Sequence, residues 1–365
     1  MTSAIARLND YGQSPWYDNL ARRLLTGGGL AQLVSDDGIR GVTSNPTILD
    51  KAIDGGEGYD DQLKECARQG LSIEDTYWAV VVDDIVAATK VLEPVHTAAD
   101  GGDGFVSVEV SPELAHDTHG TIAAAKSLFA RVNRPNVLIK IPATLEGIPA
   151  IEEAVASGIR VNVTLIFSLA RHELVIEAYL KGLERFAASG GDLSTIASVA
   201  SFFVSRVDTE TDRRLPEGHE LRGKAAVANA KLAYQLFEER FTGPRWEALA
   251  AKGARLQRPL WASTSTKNPA YPSTLYVDEL IGPNTVNTLA PASIDALHRG
   301  DGHQRPGTVT ENVEEALRVI RSLGDAGVDF DDVTDTLERE GVDSFSDSFH
   351  DALNTIEKRR ADLTS

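Results

Sequence analysis

The chain has 365 residues, an ordinary globular composition and a net charge of −18, which is length enough for one large barrel or two modest domains. With no basic block, that charge argues against nucleic acid or an anionic membrane as partner, while a small phosphorylated ligand needs only a few local cations. A single cysteine, Cys66, excludes an intramolecular disulfide, and neither a signal-like start nor a membrane-length apolar stretch is visible, so a cytoplasmic protein is expected.

From the amino terminus, short apolar runs predict strands at 14–18, 41–45, 104–111, 136–143, 160–168, 198–205, 258–265 and 284–290. Amphipathic stretches lie between most of them. Segment 72–92 carries Ile73, Val80, Val81, Ile85, Val86 and Leu92 behind Ser72 and Glu74, which suit a helix start. Segment 169–188 carries Leu174, Ile176, Tyr179, Leu180, Leu183 and Phe186. The run Gly27-Gly28-Gly29 follows a helix rather than a strand and reads as a helix terminator. No G-x-G-x-x-G opens a helix after a strand, so a Rossmann sheet lacks its main mark. Segments 111–119 and 300–310 read as loops, and 313–323 and 333–363 as helices beyond the last strand. Strand–helix alternation repeated about eight times predicts an α/β fold, a (β/α)8 TIM barrel. The expectation is one domain over residues 1–365, with C-terminal helices from about residue 311 bracing the barrel.

Lys140 stands out against this frame. It interrupts Asn136-Val137-Leu138-Ile139-Lys140-Ile141-Pro142, a run otherwise suited to a buried strand. An isolated ammonium is costly to desolvate, so such a lysine is either paired or used. Used, it is a candidate Schiff-base nucleophile, because desolvation or a nearby cation lowers an amine's pKa from about 10.4 and frees the lone pair to attack a carbonyl. Paired, it is a strand-end lysine held by a carboxylate, and Glu109 in Phe105-Val106-Ser107-Val108-Glu109-Val110 is a structural partner of that kind.

In a barrel the strand C-terminal ends build the site, and inward positions alternate along each strand. Other polar residues obey that rule. Asp18 ends the first strand, Thr43 and Asn45 share a face of the second, Asn162 and Thr164 share a face of the fifth, and Ser263 and Ser265 follow Leu260-Trp261-Ala262. Each also has a plain structural role open to it: Asp18 as a helix N-cap, Asn45-Pro46 as strand-to-loop punctuation, Asn162 and Thr164 as satisfied core groups. Together, a lysine, two carboxylates and several amides and hydroxyls are the parts of imine chemistry on a polyol. Arg206 and Lys267 come just beyond strand ends, on the rim where a substrate phosphate would sit, one offering a fork and the other a point charge. The histidines do not suggest a metal set. His116 and His119 are the one close pair, in a segment leading into a helix, and His172 reads as an exposed helical residue. No G-x-S-x-G elbow marks a serine hydrolase.

With these residues in hand, the chain resembles the transaldolase family in its actinobacterial and cyanobacterial form. The likeness covers almost the whole chain, through Trp16-Tyr17-Asp18-Asn19-Leu20, Gly41-Val42-Thr43-Ser44-Asn45-Pro46-Thr47, Val106-Ser107-Val108-Glu109-Val110, Leu138-Ile139-Lys140-Ile141-Pro142-Ala143-Thr144, Val161-Asn162-Val163-Thr164-Leu165-Ile166-Phe167-Ser168 and Leu260-Trp261-Ala262-Ser263-Thr264. The resemblance implies a Schiff-base aldolase barrel, without metal or other cofactor, that moves a dihydroxyacetone unit between sugar phosphates. Sedoheptulose 7-phosphate and glyceraldehyde 3-phosphate would interconvert with erythrose 4-phosphate and fructose 6-phosphate, a step of the non-oxidative pentose phosphate pathway. By position, Lys140 resembles the imine-forming lysine, Asp18 the acid/base at the C4 hydroxyl, and Glu109 with Thr164 the pair that positions a proton-shuttling water. Asn45, Asn162 and Ser201 resemble the groups that hold the dihydroxyacetone hydroxyls, and Arg206, Ser263 and Lys267 the phosphate site. Where many members have S-F-R-N, this chain has Ser263-Thr264-Ser265-Thr266-Lys267-Asn268, so a lysine stands for the arginine. The implied partners are small sugar phosphates, with neither nucleic acid nor membrane, for a monomer or homodimer. Two competing readings are a fructose-6-phosphate aldolase on the same scaffold, a much shorter chain, and a catalytically silent sugar-phosphate-binding barrel.

Overall fold

The computed structural model describes residues 3–55 and 58–364. The apolar runs form eight parallel strands: β1 Gln13–Tyr17, β2 Gly41–Thr43, β3 Phe105–Glu109, β4 Val137–Pro142, β5 Val161–Ile166, β6 Ser198–Phe203, β7 Gln257–Ala262 and β8 Thr285–Leu289. They pair in chain order, and β8 returns to β1 in register from Gln13↔Thr285 to Tyr17↔Leu289, closing the expected (β/α)8 barrel. Strand residues are buried almost without exception, as parallel strands covered on both faces require. Each expected strand is present but stops early, so Asp18, Asn45 and Ser263 lie just past its C-terminal end, at the mouth.

Capping explains where the helices begin. Ser72 accepts the Asp75 amide at 2.9 Å to start Ile73–Ala98, and Ser168 accepts the Arg171 amide at 3.1 Å to start Leu169–Ala188. The former runs on past Leu92, through Pro94, to Ala98. The glycine run does end a helix: Gly27 closes Arg22–Thr26, and Gly28, with φ +75°, turns the chain into Gly29–Asp37. The loop expected at 111–119 is shorter, because Asp117 caps the helix Thr118–Val132 and His119 is already helical. One strand glycine has a packing reason. A Cβ on Gly41 would come within 2.3 Å of Trp16 Cδ2, so β2 can lie this close to the indole only with glycine there.

His172 corrects an expectation. It is fully buried rather than exposed, on the stripe His172, Val175, Ile176, Tyr179, Leu180 and Leu183, while Leu174 turns out to be 42% exposed. The i, i+3, i+4, i+7 spacing that selects Val175, Ile176 and Tyr179 also selects His172, and polarity alone had argued otherwise. Its ring centroid lies 5.7 Å from that of Phe202, and neither ring nitrogen has a hydrogen-bond partner. Burial lowers its pKa to about 4. The unfolded chain therefore binds a proton below about pH 6.5 that the fold refuses until about pH 4, so stability is lost as pH falls through that window. His172→Leu should remove up to roughly 3 kcal/mol of this acid sensitivity. Urea unfolding at pH 8 and pH 4.5 checks it, and equal losses in both proteins would contradict it.

Two helices follow the barrel. Val313–Asp325 packs on Ala225–Arg240. The long helix Phe330–Thr364 packs on Pro46–Asp54, Asp60–Arg68 and Ser205–Arg214 and reaches β5. The first and third of those neighbours follow the C-terminal ends of β2 and β6, so this C-terminal helix lies over the mouth of the barrel. Its residues Phe349 and Ile356 share a satellite core with Leu49, Ile53, Leu63 and Tyr77. No helix among the described residues is long and apolar enough to cross a membrane.

Candidate active site

Strand register assembles the centre of the site. Glu109 on β3 is the partner of Lys140 on β4, and Lys140 is the partner of Asn162 on β5. Lys140 is only 6% exposed. Its Nζ lies 3.3 Å from Glu109 Oε2 and 5.3 Å from the ring centroid of Phe345 on the C-terminal helix. The pairing that composition allowed as a structural role is therefore real. Burial pushes the Glu109 carboxyl above its usual range, Lys140 pulls it back, and the charge of Asp18 adds a smaller push upward.

Asp18 does not cap a helix, since the next one begins at Arg22 behind Ala21. Its backbone N–H donates to the Leu289 carbonyl at 2.9 Å, and its Oδ1 accepts the Thr43 hydroxyl at 2.7 Å. Burial raises its carboxyl too, against the Thr43 bond and the charges of Lys140 and Lys267. Asn45 has both roles open to it: it caps Pro46–Asp54 by accepting the Ile48 amide at 3.1 Å, and it faces the pocket.

On β5 the two polar residues differ. Asn162 is fully buried; its Nδ2 donates to Ser107 Oγ at 2.9 Å and its Oδ1 accepts the Ser201 hydroxyl at 2.7 Å. The hydroxyl of Thr164 is buried and has no hydrogen-bond partner, a costly state in a core unless something polar arrives to use it. Immediately beyond it, Leu165 has φ +59° and the β5–β6 register shifts between Val163 and Ile166. Such an irregularity re-aims a strand end, and it falls here beside the site.

The rim is cationic. Among the described residues, the side chains of Arg206 and Lys267 make no hydrogen bond or ion pair; the Arg206 guanidinium carbon lies 5.5 Å from the Phe203 ring centroid. Burial lowers both, with the Arg206 charge pushing Lys267 down further and Glu340 and Asp18 opposing in turn. Two uncommitted cations that repel each other favour an anion between them. Ser263, in a left-handed conformation at φ +57°, places its hydroxyl 2.9 Å from that of Ser205, the first residue of the helix Ser205–Arg214. The positive end of that helix adds to the same field.

One pocket collects Asp18, Asn45, Lys140, Thr164, Ser201, Arg206, Ser263 and Lys267. Glu109 instead lines a smaller adjoining cleft with Tyr77 and Asp84, and Asn45 borders both. Asn162 sits one layer behind the wall, tied to Ser201. Sequence reasoning put Thr43 on the face of Asn45 without a role of its own and did not single out Ser107 or Phe345. Ser107 shares a strand face with Glu109, so strand parity could have found it. No local signal brings Phe345 to Lys140.

Comparison with known proteins agrees with this geometry. The model of the transaldolase/fructose-6-phosphate aldolase family matches residues 15–356. A protein of Acidothermus cellulolyticus named transaldolase is 52% identical over 353 residues, 96% of this chain and 95% of that one. Proteins of the same name from Parafrankia sp. and Thermobifida fusca are 49% and 50% identical, covering all of both chains in the first case and 99% of each in the second. With a match of this extent laid over a lysine-centred barrel, the chain belongs to the transaldolase/fructose-6-phosphate aldolase family.

Proposed function

We propose that this protein is a transaldolase that carries a dihydroxyacetone unit from sedoheptulose 7-phosphate to glyceraldehyde 3-phosphate through a Schiff base on Lys140. The observation that carries the reading is a buried amine 3.3 Å from Glu109, set in one pocket with Asp18 and with two uncommitted cations at its rim. Relatives named transaldolase over nearly the full length support the transfer reading over simple cleavage.

The neutral Lys140 amine attacks the ketose C2 carbonyl. A water held between Glu109 and the unpartnered Thr164 hydroxyl carries protons as the carbinolamine loses its oxygen and becomes the protonated imine. That imine is the electron sink. Asp18 takes the C4 hydroxyl proton, the C3–C4 bond breaks, the aldehyde departs and the bonding pair remains as the enamine. A carboxyl raised by burial is suited to hold this proton until the acceptor aldehyde needs it back. Asn45, Ser201 and Asn162 behind it serve the hydroxyls of the three-carbon unit, and Arg206, Ser263 and Lys267 the phosphate. No step needs a metal or organic cofactor, and a cytoplasmic monomer or homodimer working on diffusible sugar phosphates fits the reading.

The test is a coupled assay with fructose 6-phosphate as donor, run with and without erythrose 4-phosphate. Turnover that depends on the acceptor supports transfer; rapid release of free dihydroxyacetone without it would sink the transferase reading. The phosphate site makes a separate expectation. Arg206→Ala should lower kcat/KM for fructose 6-phosphate by about 10²-fold and Lys267→Ala by about tenfold, mostly through KM, the fork counting for more than the point charge. Unchanged KM in both variants would place the phosphate elsewhere.

A further inference from the structure

We propose that Tyr271, a residue outside the pocket, positions Lys267 relative to Arg206 and so fixes the gap that receives the phosphate. The inference rests on the phosphate-site reading above and deepens it. Lys267 is exposed on the long segment between β7 and the helix Leu275–Glu279, whereas Arg206 stands in the first turn of the helix Ser205–Arg214. The Tyr271 hydroxyl joins these two elements. It donates to Asp212 Oδ2 at 2.5 Å, and Asp212 lies about 9 Å along the helix axis from Arg206. The buried Asp212 carboxyl is held in turn, its Oδ1 accepting the Gly223 amide at 2.9 Å. The Tyr271 ring lies so close to Gly223, at φ +72°, that a Cβ there would fall 2.7 Å from Cζ. Tyr276 adds a second tie of the same kind, donating to Asp208 Oδ2 at 2.8 Å one turn nearer Arg206.

The position of Tyr271 is passed to Lys267 by the chain between them. The Tyr271 amide donates to the Asn268 carbonyl at 3.1 Å and the Ala270 amide to Asn268 Oδ1 at 2.9 Å, closing a turn that Lys267 immediately precedes. On the other side Ser265 is held to Ser293, hydroxyl to hydroxyl, at 2.8 Å. The lysine therefore sits between two fixed points. Burial and, after it, the charge of Arg206 lower Lys267, so the two cations repel. An ammonium on a flexible stem has no fork to hold its own geometry. On a free loop it would swing away from the arginine, and each phosphate would have to gather it back. Tying the loop to the arginine's own helix keeps the gap ready, and preorganisation of this kind is felt in KM rather than in the chemical step. A hydroxyl on a carboxylate is among the stronger hydrogen bonds. Burial and Asp212 push the Tyr271 phenol up to about 12, so it stays a donor at neutral pH.

The test is a double-mutant cycle of Tyr271→Phe with Lys267→Ala, read as KM and kcat for fructose 6-phosphate and as competitive inhibition by inorganic phosphate. Tyr271→Phe keeps the ring on Gly223 and loses only the hydroxyl. It should raise KM about fivefold, less than the loss of Lys267 itself, weaken phosphate inhibition by the same factor and leave kcat within about twofold. In the Lys267→Ala background the same change should raise KM by less than about twofold, because no ammonium is left to place. Asp212→Asn should raise KM by a smaller factor, since its amide can still meet the tyrosine oxygen while its carbonyl keeps the Gly223 amide. If Tyr271→Phe gives no cooperative melt, Asp212→Asn decides in the same two backgrounds. An unchanged KM in the deciding variant, or an equal rise with and without Lys267, overturns the proposal and leaves Tyr271 a structural residue. If Lys267→Ala alone changes neither KM nor phosphate inhibition, the phosphate-site reading fails instead, and the proposal with it.

Discussion

Lys140→Ala is expected to lower kcat/KM by about 10⁴-fold or more, because it removes the group on which the covalent intermediate forms. Among the described residues, the only other lysine lining the pocket is Lys267, at the rim near Arg206 rather than beside Glu109. It cannot take over the attack without moving the phosphate site. The barrel should survive the change. Glu109 loses its 3.3 Å partner, but burial already drives its carboxyl toward the protonated form, so it neutralises rather than remaining as an unpaired charge. Lys140→Arg is the sharper companion. It keeps a cation for Glu109 and therefore preserves the ion pair, yet a guanidinium does not deprotonate to attack a carbonyl. Coupled-assay rates and thermal melts on both variants check this. An active arginine variant would mean that Lys140 serves only as Glu109's counter-charge.

Asp18→Asn should cut turnover by about 10²- to 10⁴-fold while leaving the imine able to form. Asparagine keeps the shape and can still accept the Thr43 hydroxyl bond, 2.7 Å long in the native protein, through its amide oxygen. What it loses is the ability to take a proton from the C4 hydroxyl. Borohydride with fructose 6-phosphate should then trap the variant with its six-carbon sugar uncleaved. Native turnover in Asp18→Asn, or loss of trapping together with turnover, would remove Asp18 from bond cleavage. The variant also separates the two carboxylates, because a Glu109 substitution acts on imine formation and release.

How much of this was legible beforehand follows from range. The strands were readable because parallel barrel strands are buried on both faces, so a lysine in 136–142 or a glutamate in 105–110 breaks a nearly unbroken apolar run. The α/β barrel and the placement of Asp18, Asn45 and Thr164 at the mouth followed from counting strands and from parity, whereas Ser201 entered only through the family resemblance. Helix patterns were less certain guides: Leu174 and His172 exchanged places because polarity was weighed above spacing. The bulge that turns β5 at Leu165, the orphaned Thr164 hydroxyl and the Phe345 ring over Lys140 depend on packing between distant segments. No local pattern encodes these. For Lys140 and Glu109 the two sequence readings, ion pair and proton relay, share one geometry, and only chemistry tells them apart.

The most direct measurement of the central claim is borohydride reduction of the protein incubated with fructose 6-phosphate, followed by peptide mass mapping. A three-carbon adduct on the peptide containing Lys140 is expected, because the glyceraldehyde 3-phosphate half leaves and the enamine on that nitrogen, once protonated at C3, is a reducible imine. An enzyme that turns over while Lys140 stays unmodified, with label elsewhere or nowhere, would contradict it.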